Sequence, residues 1–384
     1  MRFESSWGCR TRVVGMKIRL DAVIKNLSVA NAAIKNTASP IAKDGWYPAF
    51  SASGQDVWLP DYRFDHRGIV VSAVGARCGK AFKADGKWNI CANTHALSVD
   101  ESIADRDYCW YILNNETWWI KGGTVQPFVK VKDSLKREHL FPSLDEQSRI
   151  VQVLDQVSHI LDMRQKELLF LDNMIKARFV EMFGTYPANE KGWGTGTIRD
   201  LISEVRYGSS RKAADGDSGQ YPYLRMNNIT YSGELDLSDT KTIDIPDEEL
   251  PKYTVRRGDV LFNRTNSKEL VGKTCVYNRD EMMVLAGFIV RVRVNDRILP
   301  EILSAFLNTD FSKQMLLAMC KAAIGQANIN AQELQSIGIY IPPIELQKEF
   351  VAFKEQLDKS KIAVQKALDE AQLLFDSLMQ TYFR

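Results

Sequence analysis

Histidine occurs only four times in this 384-residue chain, and the six cysteines (Cys9, Cys78, Cys91, Cys109, Cys275, Cys320) include no C-x-x-C pair. That scarcity argues against a zinc site and a disulfide framework, and it leads to the expectation of a reduced, cytoplasmic protein. No apolar run approaches the roughly 18 residues of a membrane span. The opening MRFESSWGCRTRVVG lacks the apolar stretch of a signal peptide, so no membrane association is expected. Met16 is a candidate start, which would make residues 1–15 an extension; the sequence leaves both readings open. Charge of one sign is missing too: the formal net charge is +2, so any basic surface has to be local.

Catalytic signatures are equally thin. There is no G-x-G-x-x-G and no Asn-Pro-Pro-aromatic stretch. ELVGKT (Glu269–Thr274) ends as a triphosphate-binding loop does, but Ser267 stands where its first glycine belongs, and RTNSK precedes it where a strand should. GARCGKA (Gly75–Ala81) has the wrong spacing. His66, His95, His139 and His159 have no partner spacing that implies catalysis, and Asp145/Glu146 read as solvated helix charge. A non-enzyme with no cofactor and no metal follows, and binding is what remains.

The chain says one thing twice. REHLFPSLDEQSRI (Arg137–Ile150) and SIGIYIPPIELQKEF (Ser336–Phe350) align at a fixed offset of 200, through Pro142/Pro342, Gln147/Gln347, Gln165/Gln365 and Phe183/Phe383. A constant offset marks a tandem duplication. After each proline, apolar residues recur every three or four positions. Ile150, Leu154, Val157, Leu161, Leu168, Leu171, Ile175 and Met182 form one seam, and Phe350, Leu357, Val364, Leu368, Ala371, Phe375 and Leu378 form the other. Two long helices with narrow apolar seams are predicted, pairing with each other as an antiparallel coiled coil.

Between them lie aromatic- and glycine-rich segments with short β-type runs, such as GIVVSAV (Gly68–Val74), GDVLFN (Gly258–Asn263) and FIVRVRV (Phe288–Val294). WYPAFSASG (Trp46–Gly54) answers QYPYLRMNN (Gln220–Asn228), RGIVVS (Arg67–Ser72) answers RGDVLF (Arg257–Phe262), and a Gly-Lys pair follows in both. The expected fold is therefore α+β. Two mixed, strand-rich domains (16–141 and 185–341) alternate with two long helices (142–184 and 342–384) about a pseudo-two-fold axis.

Polar loops supply the binding candidates. NRTNSKE (Asn263–Glu269) follows a strand and carries Asn263, Arg264, Asn266, Ser267 and Lys268, with Lys273 beyond. Arginine forks onto guanine and asparagine onto adenine, while serine and lysine hold phosphates, although a solvated turn would use the same residues. The loops with Ser210, Arg211 and Lys212, with Arg225 and Asn227, and with Gln326 and Asn328 add polar tips. The first half offers Ser51, Ser53, Arg77, Lys80 and Gln126.

These features together, above all RRGDVLFNRTNSKELVGK, YPAFSASG, the proline and glutamine opening each long helix, and the cyclic domain order, resemble the specificity subunit of Type I restriction-modification systems from about Met16 onward. One departure is Ser143 where the second copy has Pro343. The resemblance implies two target-recognition domains, each reading half of a bipartite double-stranded DNA target. It implies paired helices that set the gap and dock two DNA adenine methyltransferase subunits, and motor-nuclease restriction subunits that join the complex. Methyl donor and ATP would belong to those partners. The alternatives from the residues alone are a coiled-coil adaptor that binds only proteins and a single-chain DNA-modifying enzyme.

Overall fold

In a computed structural model of the chain, the described residues are 15–28, 32, 34–214, 218–267, 270–320 and 327–383. The extension read over residues 1–15 lies outside them except for Gly15, and the first strand begins at Met16. The chain forms two compact units: Met1–Met163 with Leu368–Arg384, and Arg164–Ala367.

Each unit is built to the same plan. A strand pair opens and closes it: Met16–Arg19 with Glu138–Phe141 in the first, Gly194–Thr197 with Gly338–Ile341 in the second, both antiparallel. A four-stranded antiparallel sheet follows. Its order is Ile24–Asn26, Thr94–Val99, Gly68–Ser72, Ala81–Ala84 in one unit and Ile202–Tyr207, Ile289–Val294, Val260–Asn263, Thr274–Val276 in the other. A second sheet is centred on a parallel pair, Tyr47–Ser51 with Lys87–Ile90 and Tyr221–Leu224 with Val284–Leu285.

The continuous apolar runs are central strands covered on both faces. Ile69 and Val71 face the main core of the first unit, while Val70 faces a second cluster with Phe50, Phe64 and Trp88. Val260 and Phe262 face the main core of the second unit, and Leu261 turns to Leu224, Tyr277 and Leu285. This alternation corrects the alignment of RGIVVS with RGDVLF. Ser72 donates its N–H to Lys80 and accepts from Gly79, as Asn263 does with Lys273 and Gly272. Ser72 therefore corresponds to Asn263, one residue beyond the sequence match, because a one-residue slip would turn every side chain to the wrong face. Asp259 is the extra residue. It is buried, and its carboxylate accepts from the Arg256 N–H at 2.9 Å and from Arg293 Nε at 2.8 Å. Gly258, at φ +89°, makes the turn possible.

The long helices run Leu144–Phe183 and Ile344–Phe383, 40 residues each. Every residue assigned to the two seams is buried or half-buried, whereas Leu169, Phe170, Ile362, Leu373 and Leu374, off the seams, are exposed. Within the first unit Phe375, Leu378 and Phe383 pack on the core that holds Ile150 and Leu154. Within the second, Phe179 and Phe183 meet Phe350 edge-on at 5.3 and 5.7 Å, and Lys361 pairs with Asp172 at 2.6 Å. The helices are antiparallel in both.

The repeated glutamine has a structural cause. Gln147 is fully buried; its Oε1 accepts from the Asp105 N–H at 2.8 Å, and its Nε2 donates to the Ile103 and Pro142 carbonyls at 3.3 and 2.9 Å. Gln347, also fully buried, binds the Leu299 N–H at 2.8 Å and the Arg297 and Pro342 carbonyls at 3.1 and 2.8 Å. Asp105 and Leu299 are the N-caps of the short helices Arg106–Leu113 and Pro300–Leu307. One side chain thus ties the entry of a long helix to the start of a domain helix. Ser143 in place of Pro343 leaves that entry unchanged, since each carbonyl accepts the glutamine N–H.

Candidate nucleic-acid interface

In the second unit the strand Val260–Asn263 ends in a loop closed at its base by the Asn263–Lys273 and Gly272–Asn263 backbone bonds, both 2.8 Å. Gly272 has φ +79°, and its Cβ would meet Leu316, so this position demands glycine. Thr274 then starts a strand and not a helix, which removes the helix terminus a phosphate loop needs. Asn263 is fully buried. With its amide assigned so that both ends are satisfied, Nδ2 donates to the Thr265 and Phe288 carbonyls at 3.0 and 3.3 Å and Oδ1 accepts from Asn266 at 3.0 Å. Asn263 holds the loop in shape instead of facing outward. Beyond it Thr265–Asn266 pairs antiparallel with Ala327–Asn328, and the Ile329 N–H reaches the Arg264 carbonyl at 2.9 Å.

The first unit repeats this closure with different side chains. Val74 bridges Phe128, Gly75 N–H donates to Pro127 O, and Val129 N–H donates to Ala73 O, each bond 2.9 Å. Arg77 and Gln126 are exposed, and Val125 at the hairpin tip is 97% exposed. Among the described residues no acidic side chain pairs with Arg77. Lys80 is half-buried, with its ammonium 5.9 Å from the Phe82 ring. In each unit, therefore, two loops that sequence had picked separately are zipped into one tip.

The other candidates divide by what surrounds them. Ser210, Lys212, Asn227, Asn328 and Ser53 are exposed. Ser51 is buried and accepts from Lys35 Nζ at 3.2 Å. Parallel pairing puts Ser51 and Ser53 at the positions of Arg225 and Asn227, since Ala49 and Tyr223 occupy matching sites. Arg211 is committed to Glu249 at 2.8 Å and Arg225 to Asp239 at 2.9 Å. Lys273 is buried, and desolvation lowers its pKa. Lys313, which sequence reasoning missed, donates to the Gly272 carbonyl at 2.7 Å, and burial together with Lys176 and Lys273 lowers it to about 7. Ser267 is half-buried, while Lys268 and Gln326 lie outside the described residues. Also missed were Tyr207 and Phe288, rings that stay 40% and 50% exposed beside Arg264. Among the described residues there is no metal-binding group of three or more ligands, and no helix is long and apolar enough to cross a membrane.

Residues 190–372 match the family model described as the Type I restriction modification DNA specificity domain. The EcoKI specificity subunit of Escherichia coli (strain K12) is 23% identical over 214 residues, 55% of this chain and 46% of that protein. Residues 190–372 thus carry a Type I restriction-modification DNA specificity domain. A further specificity subunit, StySPI of Salmonella potsdam, is 25% identical over 255 residues, 62% of this chain and 54% of its own length. The matched stretches thus span about half of these relatives. The specificity-subunit fold extends over both copies. The S subunit from M. genitalium superposes with a TM-score of 0.56 at 15% identity, covering 97% of each chain. A chain from a structure of type I R-M complex assembly and conformational transition gives 0.51 at 17% identity, covering 96% and 98%.

Proposed function

We propose that the chain is the non-catalytic DNA-reading subunit of a Type I restriction-modification complex, acting in the cytoplasm, with each unit reading one half of a bipartite target. The observation that carries this reading is the zipped loop pair at the same place in both units, one backbone frame dressed with different polar side chains. A shared frame with divergent tips is what two half-sites of unlike sequence require. The long helices set the gap between halves and dock two DNA adenine methyltransferase subunits, and motor-nuclease restriction subunits join them. The exposed Leu169, Phe170, Ile362, Leu373 and Leu374 on those helices support docking, because apolar side chains of that size favour a protein partner. The methyl donor is bound by the methyltransferase partner. In a retardation assay with competitor DNA, the chain in its native assembly is expected to shift one bipartite duplex and leave scrambled duplexes free. Equal retardation of both, or stoichiometric S-adenosylmethionine binding by this chain alone, would overturn the proposal. Complete indifference to DNA would favour the adaptor reading.

A further inference from the structure

We propose that Tyr207, Arg264 and Phe288 form one reading element of the second unit, taking a guanine and the thymine beside it, with Tyr207 as the positioning residue. The proposal rests on the DNA-recognition reading above and names the bases that one site takes.

Tyr207 lies opposite Val290, and Val290 lies opposite Phe262. Arg264 follows Phe262 by two residues, so alternation puts Tyr207 and Arg264 on the face that carries Phe262 and Val290, and Phe288 sits opposite Arg264 in the turn that leads into the Ile289–Val294 strand. Inside the unit that face is core. At its end Tyr207 and Phe288 are exposed, and the Arg264 guanidinium lies over the Tyr207 ring. The Arg264 guanidinium carbon is 4.7 Å from the Tyr207 ring centroid, and the Arg264 N–H donates to the Phe288 carbonyl at 3.0 Å. The Tyr207 hydroxyl accepts from the Ala331 N–H at 2.8 Å, which keeps the ring from swinging away.

Arg264 is also uncommitted. Arg211, Arg225 and Arg257 of the same unit are each paired with a carboxylate. Among the described residues no carboxylate lies within ion-pair distance of Arg264, and its buried Nε has no acceptor. A guanidinium stacked on a ring keeps its in-plane Nη donors free, in the fork geometry that matches guanine O6 and N7. The neighbouring exposed Phe288 suits the thymine methyl, an apolar group on the same groove edge. In the first unit the corresponding residues are Ser28, Ala73 and Asn93, as the Ala73 N–H to Asn93 O bond of 2.8 Å shows by mirroring that of Arg264 with Phe288. Neither a cation nor a ring is present there. A device found in only one copy is not needed to hold the common fold, which points to a part in telling the half-sites apart.

The test is selection from a randomised duplex library by the full chain in the assembly in which it is isolated. Arg264→Lys keeps the charge and loses the fork, so guanine preference at one position of one half-site is expected to fall about 5- to 150-fold while all other positions hold. Tyr207→Leu is expected to relax the same position, Tyr207→Phe to retain it, and Phe288→Ala to relax the adjacent thymine. Should Tyr207→Leu fail to fold, the changes at Arg264 and Phe288 still decide. Uniform weakening across all sequences would make Arg264 a phosphate contact and overturn the proposal, as would unchanged selection. A native chain that selects no motif would instead overturn the DNA-recognition reading itself.

Discussion

Replacing Gln147 by alanine removes three hydrogen bonds from a site with no solvent access, to Asp105, Ile103 and Pro142. A net bond contributes about 1 kcal/mol, and a buried partner left unmade costs about 1–3 kcal/mol, so the loss is expected near 3 kcal/mol. The Asp105 N–H has no alternative acceptor once Oε1 is gone, so its exchange with solvent is expected to speed up on the order of a hundredfold. Gln347→Ala is expected to cost a similar amount and to expose the Leu299 N–H instead, because the bond lengths match those of its counterpart. Leucine at either position fills the volume without making the bonds, which separates hydrogen bonding from cavity formation. Hydrogen exchange read by mass spectrometry, with urea unfolding alongside, gives both quantities. Leucine variants within about 0.5 kcal/mol of the native chain, with unchanged exchange at Asp105 and Leu299, would refute the clamp.

Acid should weaken the first unit through His139, which packs against Phe141 and Phe383 and whose pKa burial lowers from 6.5 to about 4. The unfolded chain then binds more protons than the folded one between those values, so stability is lost as pH falls through that window, by up to about 1.4 kcal/mol per unit. His139→Phe should flatten the urea midpoint against pH there, and an unchanged slope would exclude His139 as the cause. Four helix-forming residues inserted at Lys166–Glu167 add about 6 Å of helix and nearly preserve the seam. On the proposed function the gap in the target lengthens by about one or two base pairs, read by mapping methylated sites; an active complex with the old spacing would mean the helices do not set it.

The helices were legible because their signal is local and periodic: the seam from Ile150 to Met182 needs no knowledge of what it packs against. The same holds for Gln147 and Gln347, whose fixed offset marked them before any partner was known. Register across the sheet was harder. RGIVVS and RGDVLF look aligned at their Gly, but Asp259 is an inserted turn residue, and only strand pairing reveals that Ser72 matches Asn263. Burial was harder still, since nothing local distinguishes Asn263 and Lys273, which are enclosed, from Asn227 and Lys212, which are exposed. Tyr207 and Phe288 escaped notice because their strands meet Arg264 from distant points in sequence, and a tyrosine at a strand end ordinarily reads as core.

On the proposed function, this chain alone chooses the DNA sequence on which its partners act. Mapping modified bases across the source genome, with and without the gene for this chain, tests it most directly. The account predicts methylated adenines in a single split motif of two specific halves around a fixed non-specific gap, all lost when the chain is deleted. A contiguous motif, or a split motif that persists in the deletion, would contradict it.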